Sequence, residues 1–76
     1  MGHSFTIQAR IQASERGELF TAVVSAVPQH LDVLAEVRTH DCASHHEALA
    51  LLDPMAQGLG KELTARGDQV LDFQFQ

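Results

Sequence analysis

From Phe5 to Ala13 apolar and polar side chains alternate without a fault, with Phe5, Ile7, Ala9, Ile11 and Ala13 on one face and Thr6, Gln8, Arg10 and Gln12 on the other. A period of two is the pattern of a strand with one wet face, so 5–13 is predicted as the first strand. The polar segment 14–18, with Gly17 between two apolar runs, predicts a hairpin loop. The chain then returns over 19–27, with Phe20, Ala22, Val24 and Ala26 on one face and Leu19, Thr21, Val23, Ser25 and Val27 on the other. Both faces are partly apolar, which predicts an interior place in a sheet. Pro28 has no N–H to give a ladder and holds Val27 extended, so the strand ends there and 28–32 forms the next connection. Val33, Ala35 and Val37 alternate with Leu34, Glu36 and Arg38, a third strand running to about position 40.

At Ser44-His45-His46-Glu47 the period changes. The Ser44 hydroxyl is placed to accept from an orphan N–H of a first helical turn, while Glu47 reaches back to the N–H of Ser44, a reciprocal capping box. Behind it Ala48, Leu52, Met55, Leu59 and Leu63 recur at helical spacing, with Leu51 and Ala56 widening the stripe. Pro54, Gly58 and Gly60 weaken a helix, and Asp53-Pro54 would also suit the start of a second one. The stripe keeps its phase through Pro54, so one kinked helix from 45 to about 66 is predicted, with Gly67 as its left-handed end. Leu71 to Gln76 alternates again and reads as a last strand, parallel to the third and hence to the first. It pairs either at an edge of its own sheet or with a neighbouring subunit. The predicted fold is α+β of order βββαβ, an antiparallel meander with the helix on one sheet face, in a single domain 1–76.

A chain of 76 residues buries only roughly 60% of the surface it exposes unfolded. Its one cysteine, Cys42, excludes an internal disulfide, so association with another chain, a homodimer first of all, is the expected supplement. Ten acidic residues against five basic ones give a net charge of −5. That balance repels nucleic-acid phosphates and attracts a basic protein partner. No apolar run approaches a membrane span and no leader pattern opens the chain, so a cytoplasmic protein without membrane contact is expected. Residues 1–4 are open to being partly a cloning scar, so His3 is given no weight.

The densest set of potential ligands is His40, Cys42, His45 and His46, with Asp41 and Glu47 beside them. Imidazole and thiolate suit zinc or copper. Their spacing matches no established zinc signature, and adjacent His45 and His46 diverge by about 100° on a helix, so a solvated helix start is the expected reading and no cofactor is assigned. Cys42 near His40 lacks the orienting group and anion hole of a nucleophile, and is read as a small buried apolar residue in a chain that is not an enzyme. Arg10, Arg16 and Arg38 on the outward sheet face would make a sparse contact patch, but ordinary polar outward positions of a half-buried sheet are the expected reading.

The meander entering a helix through Ser44-x-x-Glu47-Ala48-Leu49, with Leu52, Met55 and Leu59 behind it and Ala26-Val27-Pro28 ending a strand, resembles the HicB-like antitoxin domain. That resemblance implies a small regulatory module that neutralises a partner by protein contact. Here the stretch from Pro28 to Ser44 is longer than in the family, Cys42-Ala43 replaces the glycine expected before the cap, and there is no added DNA-binding segment. A lesser resemblance joins the three strands with Leu52-Asp53, Met55, Leu59 and Leu63 to ribosome hibernation-promoting factors. The other readings open from the residues are a metal- or small-ligand-binding domain at the strand-to-helix junction and a structural subunit of a larger assembly.

Overall fold

The computed structural model describes residues 2–76. Position 1, one of the four residues open to being partly a cloning scar, lies outside the described residues. The elements are β1 (Ser4–Ala13), β2 (Phe20–Pro28), β3 (Glu36–Cys42), α1 (His45–Ala65) and β4 (Gln69–Phe75). They form a mixed four-stranded sheet of order β3-β2-β1-β4. β2 pairs antiparallel with β1 and β3, and β4 lies parallel to β1. The α+β class, the meander, the interior place of β2 and the parallel last strand follow the sequence pattern. β4 uses the edge of its own sheet. Its register slips at Phe5/Thr6, where Leu71 is the extra residue of a bulge. His3, discounted above, takes part: its carbonyl accepts from the Gln69 N–H at 2.8 Å.

The helix covers the sheet face that carries Phe5, Ile7 and Ala9 from β1 and Ala22, Val24 and Ala26 from β2. Against them it buries Ala48, Leu52, Ala56, Leu59, Gly60 and Leu63. Small residues on both sides let the backbones approach closely. Ile11 is half-buried and Ala13 exposed, because the first hairpin runs beyond the end of the helix. The helix passes Pro54 as one element of 21 residues. Pro54 and Ala50 are both exposed, so the Ala50 carbonyl that loses its helical donor turns to water. At the other end Gly67 stands at φ 90°. The Gly67 N–H donates to Thr64 O at 3.0 Å and the Asp68 N–H to Leu63 O at 2.9 Å, the two bonds of a Schellman end.

β3 departs most from expectation. It begins at Glu36, three residues later than predicted, and runs on to Cys42. Its register sets Glu36, Arg38, His40 and Cys42 opposite Ala26, Val24, Ala22 and Phe20, the β2 residues that face the helix. The polar set of β3 therefore faces α1, and Val37 points to the open side with 60% of its surface exposed. The outward placement of Arg38 is corrected here: the register sets it opposite Val24 on the helix side, away from Arg10, where it pairs with Glu62 of the helix.

Candidate functional site

The junction between β3 and α1 is built by the predicted cap. The Ser44 Oγ accepts from the Glu47 N–H at 3.1 Å. The Glu47 carboxylate reaches the Ala43 N–H at 3.3 Å, one residue earlier than the Ser44 N–H expected for it. Cys42 is 5% exposed and belongs to the core cluster. Its sulfur lies 3.8 Å from His40 Nδ1 and the same distance from the His40 carbonyl, to which it donates. Burial pushes the Cys42 thiol above its usual value, and the negative charges of Glu47 and Asp41 push it the same way. A protonated thiol is a poor nucleophile and a poor metal ligand.

The neighbouring histidines diverge. His45 turns to Phe20, its ring edge-on at 5.7 Å between centroids and 89° between planes, while His46 is exposed. Of the four candidate ligands, then, only His40 and Cys42 approach one another. Among the described residues no three His, Cys, Asp or Glu groups gather in a way that would hold a metal ion.

A second charged set was not singled out from sequence. Arg66 donates from both terminal guanidinium nitrogens to the Glu36 carboxylate, at 2.8 and 3.0 Å, and lies 3.5 Å from Asp68. Arg38 pairs with Glu62. The Arg66 guanidinium holds the Glu36 carboxyl below the usual range, and Arg38 does the same for Glu62. The available signal was spacing: Glu36 and Arg38 two apart on a strand, Glu62 and Arg66 four apart on a helix.

This ladder borders a hollow of about 630 Å³ at the start of β3, lined in part by Asp32, Leu34, Glu36, Arg66 and Asp68. In the loop above it Val33 packs on the core, whereas Leu31 and Leu34 are 103% and 89% exposed. Another cleft, of about 460 Å³, lies between α1 and β4 over Val70 and Phe73, with Gly60 and Lys61 on its helix side. Among the described residues every buried side chain is apolar, and no helix is long and apolar enough to cross a membrane. Comparison with family models, with curated proteins and with solved structures gave no match to this chain.

Proposed function

We propose that this chain is a small acidic, non-catalytic binding module that acts through protein contacts, in the manner of a HicB-like regulatory domain, on a basic partner. The observation that carries this reading is the hollow at the start of β3. Asp32, Glu36 and Asp68 face it with Arg66 as the one Arg or Lys in its lining, which also includes the exposed Leu34, and the exposed Leu31 precedes Asp32 in the same loop. An acidic hollow beside projecting leucines suits a segment that offers a lysine or arginine next to an apolar side chain. The whole surface favours the same class of partner. Outside the ion pairs of Arg38 and Arg66, seven acidic side chains remain against three basic ones.

The test is co-purification with the product of the adjacent gene. Retention of a basic chain at about 50 mM salt and its release at about 500 mM supports the reading, because screening acts most on exposed charge. Recovery of this chain alone at both salts removes it.

A further inference from the structure

The two edges of the sheet are not alike. On β4, the Gln76 N–H donates to the Ala9 carbonyl, so by alternation Phe73 turns its N–H away from β1. The Asp72 carboxylate caps that N–H at 2.9 Å. On the other side, the bonds Ser14 N–H to Leu19 O and Gln29 N–H to Ser4 O fix which residues of β2 face β1. They are Thr21, Val23, Ser25 and Val27, so Phe20, Ala22, Val24 and Ala26 bond β3 through Cys42, His40, Arg38 and Glu36. Val37, Thr39 and Asp41 therefore turn their backbone groups outward, with no side-chain cap like that of Asp72 among the described residues.

We propose that a second copy of this chain adds antiparallel to this edge, with a two-fold axis between the two Val37 residues, to make one eight-stranded sheet. Charge selects the occupant and the register. Centred on Val37, the pairing sets Glu36 opposite Arg38 of the other copy, twice, and sets Val37 against Val37 on the open face. Centring on Arg38 would instead oppose two arginines, and centring on Thr39 would set Val37 against Asp41 on the open face. Opposite charges across strands stabilise and like charges destabilise.

The two Val37 residues form a hydrogen-bonded pair that exchanges both N–H···O bonds. The net charge of −5 on each copy is screened beyond about 8 Å at physiological salt, which leaves the complementary seam to decide. The chain also has surface to lose. It exposes 5142 Å², on the order of 500 Å² more than the roughly 4,600 Å² of a compact monomer of its mass. This dimer needs no basic partner, and its test uses the chain alone.

Light scattering of the wild type should give twice the 8.3 kDa chain mass at about 100 μM and lower mass on dilution. Val37→Lys should be a monomer with an unchanged circular dichroism spectrum. In a Cys42→Ala background, Val37→Cys should cross-link under mild oxidation, because its two copies sit about 5.5 Å apart, within disulfide reach. Thr39→Cys should not, its copies being about 14 Å apart along the seam. A monomeric wild type, a dimeric Val37→Lys variant, or cross-linking at 39 equal to that at 37 overturns the proposal.

Discussion

Gly60 of the helix sits over the ring of Phe73 so closely that a Cβ there would come within 3.2 Å of Phe73 Cζ and 3.4 Å of Ile7 Cδ1. The two conformationally costly glycines of this turn are thereby explained unequally, since a Cβ at Gly58 would meet nothing within 4 Å. Gly58→Ala should stabilise the fold by about 0.5–1 kcal/mol through helix propensity alone. Gly60→Ala gains the same propensity but must displace the half-buried Phe73 ring, and should fall at least about 0.5 kcal/mol short of Gly58→Ala. Urea unfolding of the two variants side by side measures the difference.

The Glu36–Arg66 pair makes stability depend on acid. The folded pKa of Glu36 lies below its usual 4.5, so its contribution is fully present above about pH 5 and is lost as pH falls through the lowered value. Glu62, held down by Arg38, acts in the same direction. Both pairs are substantially exposed, so the effect is small and salt weakens it. Glu36→Gln should flatten the fall in unfolding midpoint between about pH 5 and pH 3; a slope equal to that of the wild type would remove the linkage.

The contrast between β1 and β3 shows what the pattern of residues carries and what it leaves out. In β1 the alternation is faultless and the buried face is the apolar one, because Phe5, Ile7 and Ala9 pack in the core under the helix. In β3 the expected apolar face is that of Val33, Ala35 and Val37, yet the helix-facing set is the one with Glu36, Arg38 and His40. The strand lies to one side of the helix, where long charged side chains reach Glu62 and Arg66. Periodicity shows that two faces differ; only tertiary neighbours decide which is covered. The same limit applies to the histidines, whose closeness in sequence is undone by the turn into α1. The cap at Ser44 was legible because all its parts are local.

That cap is open to a direct measurement. Ser44→Ala leaves the Glu47 N–H without its acceptor at the helix start and should cost about 1 kcal/mol. For a domain of this size the loss should appear as a fall of roughly 4–8 °C in Tm. An unchanged Tm would mean that water replaces the hydroxyl at no cost.

Cys42 should label slowly in the native state. Its thiol is buried and its pKa raised by burial and by two nearby carboxylates, so both access and thiolate fraction are low. With a disulfide reagent at about pH 8, near the pKa of a free thiol, the folded protein should react far more slowly than the protein in urea. With only His40 and Cys42 in proximity, titration with Zn²⁺ should show no binding tighter than about 10 μM. Fast native labelling quenched by zinc would revive the junction as a metal site.

Asp72 has a role that its exposed position does not advertise. By accepting from the Phe73 N–H it withdraws a donor from the β4 edge, next to Leu71 and Phe75, which are 48% and 49% exposed. An edge strand with free donors and exposed large apolar side chains is a template for further strands. Asp72→Ala should leave the monomer fold intact yet raise the rate of aggregation on gentle heating, followed by light scattering. Asp72→Asn, which keeps an acceptor oxygen but loses the charge, should fall between that variant and the wild type. If Asp72→Ala aggregates no faster than the wild type, the edge is protected by something other than this carboxylate.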